Sequence, residues 1–317
     1  MTNFFKTIAV IYLLGSAVHS QTVAEPLSLD TILDNTGERS REYVETFKNL
    51  SAEETKTFVI YKKTGDESKR KTIKSLFLVM QLSKDPGRVV EFRNVISVDG
   101  RPVKNGDKRA GELFEKLSNS ETTDDEIKRL ANESSRFDEQ IYISGMTLFR
   151  SPALDQSLRP FFRFELDPAS PTDVLGRYVV RYEQVREAPG ISINGSGSKA
   201  VSNAVYSYDI EVDKDVELNA RLSGTLVIDA QTFRLWAETR RVTIQPQGFS
   251  SPSVVIEDRF EFQDSPFGIN TPKAIIHSQY KAKIKDRKII KEAEISFVYG
   301  SFTKADVEVK SGEVKPQ

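Results

Sequence analysis

Few residue types in this chain could do chemistry, and most of them are scarce. Of its two histidines, His19 lies in an N-terminal apolar segment, which leaves His277 as the single imidazole beyond it, and there is no cysteine. Without Cys, disulfides, thiolate nucleophiles, Fe–S clusters and Cys-based zinc sites are excluded. A Ser-His-Asp triad could draw only on His277, which falls inside the alternating run Ala274–Ile284 and reads as a surface or sheet-face side chain rather than a general base. The sequence holds no G-x-S-x-G elbow, no H-E-x-x-H, no Walker lysine and no metal or cofactor motif, so no catalytic residue is expected. Ser196-Gly-Ser-Lys199 matches S-x-x-K in letters, but it sits in a Gly-rich loop and not at a buried helix N-terminus. Gly195-x-Gly197 is followed by no helix that could receive a pyrophosphate. Asp124-Asp125-Glu126 reads as helix capping, and Asp213 with Asp215 lacks an EF-hand ligand series. Asp and Glu are plentiful on strands, so a hydrolase working through two carboxylates is kept as a minor alternative.

The bulk composition is that of a water-soluble globular chain. It has 317 residues, 38% hydrophobic and 29% charged, with 45 Lys+Arg against 46 Asp+Glu. That balance gives no bulk attraction to nucleic acid or to anionic lipid, and no nucleic-acid partner is expected. Met1–Ser20 carries Lys6, an apolar run from Ile8 to Leu14, and then small residues ending Val18-His19-Ser20 before Gln21. This pattern predicts a signal peptide cleaved between Ser20 and Gln21. The run is too short to span a bilayer and no later stretch is longer, so no transmembrane segment is expected. Without Cys there is no lipobox, so the expected location is periplasmic or secreted and unlipidated.

Elements that would position any site follow from periodicity. Residues 21–39 read as a polar linker, and Ser40 as the N-cap of a helix bearing Tyr43, Phe47 and Leu50 on one face. Three strands are expected over 57–63, 70–82 and 90–98. A helical insertion at about 106–158 should hold one helix over 106–117 and a second capped by Thr123, with Ile127, Leu130 and Ala131 as its apolar stripe. From Pro160 onward apolar residues alternate in seven or eight runs at hairpin spacing, an antiparallel meander curved or closed to limit bare edges. The expectation is one domain over 40–309 and a disordered tail at 310–317.

That order resembles the outer-membrane lipoprotein-sorting carriers of the LolA and LolB type, and the sensor-binding periplasmic proteins of the RseB type. Gly224-Thr-Leu-Val-Ile-Asp229-Ala-Gln-Thr-Phe-Arg234-Leu-Trp236 is similar to their G-x-L-W-I-D-P-x-T-G-R-L strand–turn–strand, departing at Val227, Ala230 and Phe233 where Trp, Pro and Gly are usual. Phe267-Gly-Ile-Asn-Thr-Pro272 is similar to the G-L-W-V-P that leads into their next strand. Ser75–Val79, Phe92–Val95, Val98–Val103 and Glu133–Phe137 resemble a family of secreted bacterial proteins of unknown function. The resemblance implies an α+β fold, a large curved antiparallel β-sheet (a half-barrel) with helices covering the concave face. It implies no catalytic residues.

Nineteen Phe and ten Tyr fall mainly on strands. If the helical cover of a curved sheet is incomplete, an apolar groove suited to acyl chains results. Its expected lining is Phe77, Val79, Phe92, Phe162, Phe164, Tyr178, Trp236, Phe260 and Tyr280. The function expected is therefore a non-enzymatic periplasmic carrier or sensor of a hydrophobic ligand, a lipid or acylated molecule. The alternative is an envelope interaction or scaffold module holding a protein partner.

Overall fold

The computed structural model describes residues 27–82, 89–104, 124–139, 145–148, 150–168, 176–195, 205–212, 219–245 and 251–305, with positions 141, 143 and 249. The expected signal segment with Ser20 and Gln21, the helix over 106–117, Ser196–Lys199 and the tail 310–317 lie outside these residues.

The first helix, α1 (Leu29–Thr46), begins well before the expected Ser40. Ser28 is the N-cap, its hydroxyl accepting the Thr31 amide at 3.2 Å, and Asp30 complements the positive first turn. The supposed linker is helical because Ile32 and Leu33 are both fully buried, worth about 1.5–3 kcal/mol each. Gly37, which reads as a breaker, instead lets the helix approach a 3-10 turn: a Cβ there would stand 3.2 Å from the Leu154 carbonyl oxygen. Beyond α1 come β1 (Leu50–Tyr61), β2 (Glu67–Gln81), β3 (Val89–Val98), the short β4 (Arg101–Pro102) and α2 (Asp124–Ser134). Pro152 and Pro160 each lie inside a 3-10 turn, at 152–154 and 159–161.

The remaining strands are β5 (Phe162–Leu166), β6 (Arg177–Gln184), β7 (Ile191–Asn194), β8 (Tyr206–Asp209), β9 (Glu211–Val212), β10 (Ala220–Asp229), β11 (Leu235–Ile244), β12 (Ser253–Asp264), β13 (Asn270–Lys283), β14 (Lys288–Tyr299) and β15 (Thr303–Lys304). One open antiparallel sheet runs β4-β3-β2-β1-β14-β13-β12-β11-β10-β6-β5, so the meander is curved and not closed. The N-terminal hairpins join it through β1 against β14. β7 and β8 form a separate parallel pair, and β9 lies parallel to the end of β13.

One face of this sheet is covered and holds two large apolar clusters. Ile32, Leu33, Leu154 and Leu158 pack on Val180, Leu222, Leu226 and Val242 near β5, β6 and β10. Phe47, Phe58, Phe77, Phe297 and Phe302 form the other near β1, β2 and β14. The fold class is thus α+β, a single large open sheet with α1 and irregular segments covering one face, while Leu130 of α2 packs on Leu78, Met80 and Phe92, the opposite parity of β2 from Phe77.

The β10–β11 turn shows how the sequence directs this locally. The Asp229 carboxylate accepts the amides of Gln231 and Thr232 (3.0 and 2.7 Å), the Thr232 hydroxyl (2.9 Å) and the Trp236 indole N–H (3.3 Å). Burial alone would raise its pKa, but these bonds hold it below the usual carboxylate value. Phe233 occupies the left-handed region (φ 57°) that favours glycine, and its ring stacks on Tyr178 at 6.4 Å.

Candidate functional site

Between the two apolar clusters the covered face is polar. On β11, Glu238 and Arg240 share the inward parity with Val242 and Ile244; on β12, Asp258 shares it with Ile256 and Phe260; on β13, His277 shares it with Ile275. Cross-strand register places them side by side, Arg240 opposite Asp258 and Asp258 opposite His277. All four are at least nine-tenths buried.

Each of them has a hydrogen-bond partner within the sheet. Arg240 donates to both Glu238 oxygens (2.9 and 3.2 Å), and its guanidinium stacks 4.9 Å above the Phe260 ring. Glu238 also accepts from Tyr182 (2.7 Å) and Ser151 (2.8 Å). Burial pushes the Tyr182 phenol well above its ordinary value, reinforced by Glu238, so it stays a donor. Burial likewise pushes Tyr208 up to about 12, against the pull of Arg240, whose Nη1 donates to it at 3.4 Å. His277 Nδ1 stands 2.6 Å from Asp258 Oδ1. A carboxylate partner fixes the proton on Nδ1, so in the neutral ring Nε2 is an acceptor, and protonation would turn it into a donor.

Arg240, Asp258 and His277 floor a groove of about 830 Å³, while Glu238 lines the small pocket under α1. Ile60, Tyr61 and Ser68 form one wall, and Tyr206, Ser207 and Tyr208 of β8 the opposite one. Ile141, Ile143 and Met146, from the segment between α2 and the first 3-10 turn, contribute the aliphatic side. Its volume falls within the roughly 300–1,000 Å³ typical of small-molecule sites. A second, apolar pocket of about 50 Å³ lies under α1 between Tyr43, Phe260, Phe262 and Ile275.

Charged groups join Met146, Ile141, Ile143 and Leu148 in holding the covering residues to the sheet. Asp138 meets buried Lys56 at 2.5 Å, and Glu139 meets Lys69 and Lys71 at 2.7 and 3.0 Å. Burial pulls the Lys56 ammonium down and pushes the Asp138 carboxyl up, each against the attraction of the other. Glu91 accepts the Gly145 amide (3.0 Å) and both the amide (3.0 Å) and hydroxyl (2.6 Å) of Thr147. Burial would raise Glu91, but the Arg93 charge and the Thr147 bonds outweigh it and hold the carboxyl below its ordinary value. A depressed folded pKa stabilises above the unfolded value and is lost as pH falls through the folded one. Protection of the Gly145 and Thr147 amides from hydrogen exchange is therefore expected to persist down to pH 4.5 and to fail only in stronger acid. Failure of both amides between pH 6 and pH 5 would contradict the assignment of Glu91 as their anchor.

The aromatic lining expected from sequence is placed differently. Phe77 and Val79 are fully buried in the cluster around Phe297, and Phe92 packs with Leu78, Met80 and Leu130 of α2. Phe162 and Tyr178 are buried in the cluster around Leu222, with Phe164 packed against it. Trp236 is half-buried with the Arg177 guanidinium 4.5 Å over its ring, and Tyr280 is half-buried on β13. Phe260 lines the small pocket under α1. Apart from His277, the groove's residues were missed, many because they are polar or lie on β8 or at positions 139, 141, 143 and 146. The readable signal was charge on an apolar parity, as in Glu238-x-Arg240-x-Val242-x-Ile244.

Among the described residues no hydroxyl is hydrogen-bonded to His277. No group of three or more His, Asp or Glu among them is placed to hold a metal ion, and no helix is long and apolar enough to cross a membrane. No family model matches the chain, and no curated protein matches it. A solved structure of a domain assigned to outer membrane lipoprotein sorting, from Vibrio parahaemolyticus, aligns over 90% of this chain and 95% of its own, at 8% identity and a TM-score of 0.34.

Proposed function

We propose that this protein is an exported, non-enzymatic carrier or sensor that holds an amphipathic lipid or acylated ligand in the groove over β11–β13. The groove itself carries this reading: about 830 Å³ with an aliphatic and tyrosine wall on one part and the Asp258–His277 pair on its floor. Burying a dozen methylenes against Ile60, Ile141, Ile143 and Met146 would supply about 10 kcal/mol gross, before immobilisation costs. His277 Nε2 and the Tyr206 and Tyr208 hydroxyls give a polar headgroup donors and acceptors. Export rests on the Met1–Ser20 pattern, with a mature N-terminus at Gln21.

The test is binding in solution without membranes. Anilinonaphthalene sulfonate should brighten on the protein and be displaced by a lysophospholipid with a twelve-carbon chain. Ser207→Trp and Gln279→Trp place bulk into the groove from two walls, and each is expected to weaken displacement about tenfold with an unchanged melting temperature. Wild-type protein that neither brightens the dye nor retains lipid in native mass spectrometry would sink the proposal. Equal affinity in both tryptophan variants would move the site elsewhere.

A further inference from the structure

We propose that one end of the sheet, formed by the β1–β2 and β13–β14 hairpins, docks the protein on an anionic phospholipid bilayer. Residues 61–74 carry six Lys or Arg against two Asp or Glu, and residues 281–292 again six against two. Each segment is therefore +4 in a chain whose formal net charge is −1. Strand pairing sets the two tips side by side: the β1–β14 ladder runs to Ile60 opposite Ala293, and Lys291 Nζ sits 5.1 Å above the Tyr61 ring. Lys62, Lys63, Lys285, Arg287 and Lys288 are exposed and form no ion pair among the described residues. Lys283 lies directly opposite Lys288 in the ladder, a like-charge pair that disfavours the hairpin unless an anion neutralises it.

A bilayer fits this end better than a nucleic acid does. No exposed aromatic side chain lies on either hairpin to stack on bases, Tyr61 being half-buried beneath Lys291. The groove reaches this end through Tyr61, Ser68, Lys69 and Glu292, so a protein seated on these hairpins would present its groove mouth to the lipid. Basic clusters bind anionic membranes through summed, salt-screened attraction. The inference goes beyond the groove reading and does not depend on what fills the groove.

Flotation with vesicles tests it. Vesicles of about one-third phosphatidylglycerol in phosphatidylcholine should bind the protein at least about tenfold better than pure phosphatidylcholine at about 0.1 M salt, and lose it at about 0.5 M. The quadruple variant K62E/K63E/K285E/K288E, which brings the two segments to neutrality, should lose that binding. R41E/K128E/R129E/K304E changes net charge equally on exposed sites elsewhere and should retain it. Dye binding without vesicles reads the groove separately, so intact dye binding with no vesicle binding overturns the docking alone. Equal vesicle binding by the two quadruple variants overturns it, as does tighter binding to a random single-stranded oligonucleotide than to the anionic vesicles.

Discussion

Gly224→Ala is expected to cost about 3 kcal/mol or more of folding free energy, toward or beyond the upper end of what overpacking a close-packed core costs. A Cβ at this position would stand 2.2 Å from the Thr239 carbonyl oxygen and 2.5 Å from the Tyr182 hydroxyl oxygen. Neither neighbour is free to yield. Thr239 is held in the β10–β11 ladder, and the Tyr182 ring crosses the bare Gly224 backbone so that its hydroxyl can reach buried Glu238 at 2.7 Å. The glycine is therefore the opening through which a tyrosine of β6 satisfies a carboxylate of β11, two strands away. Total stabilities run about 5–15 kcal/mol, so the loss is a large share of it. It should appear as a drop in Tm of about 6–12 °C for a domain of this size. Tyr182→Phe, which removes only the hydroxyl, should cost less. A Gly224→Ala protein melting within about 2 °C of wild type would mean that the close approach over Gly224 is wrong.

How far the fold could be read from the chain depends on which physical signal each element carries. Alternation in Tyr178–Tyr182, Leu222–Ile228 and Val254–Phe262 located β6, β10 and β12, because a half-buried strand must put every second side chain on its apolar face. The start of α1 was missed because its buried stripe is short: Ile32, Leu33, Thr36 and Gly37 include one polar and one helix-weakening residue. Their burial depends on Leu154 and Leu158, which lie more than a hundred residues away in sequence. The site was harder. Aromatic content drew attention to residues such as Phe77 and Tyr178, which fill cores, whereas the groove is floored by charged residues occupying inward positions on three adjacent strands. A charged residue on an apolar parity is readable one strand at a time. Which partner neutralises it depends on register across strands, and register of this kind is fixed by the whole sheet.

The same placement of charge governs the second large expected effect. Arg93→Met should destabilise by about 3–5 kcal/mol, the cost of leaving buried charges without their partner. Arg93 is nine-tenths buried or more, donates through Nε to both oxygens of Glu54 (2.8 and 3.1 Å) and through Nη1 to Glu91 (3.0 Å), and lies 4.8 Å above the Phe77 ring. Methionine keeps the packing against Phe77 and removes only the charge and its donors. Glu54 and Glu91, both buried, then face each other's charge with no cation between them, and Glu91 must still hold the amides of the covering segment. In the wild type Glu91 is held below its ordinary value; without Arg93 burial prevails and raises it. A folded pKa raised above the unfolded one adds stability only as pH falls, so the variant's deficit should be largest near pH 7.5 and should shrink toward pH 4.5. The triple replacement Glu54→Leu, Arg93→Met, Glu91→Gln removes both stranded carboxylates and should recover much of the loss. Urea unfolding of the three proteins at the two pH values separates these outcomes. A deficit that grows toward acid, or a triple variant less stable than Arg93→Met alone, would show that the arginine does not act by neutralising Glu54 and Glu91.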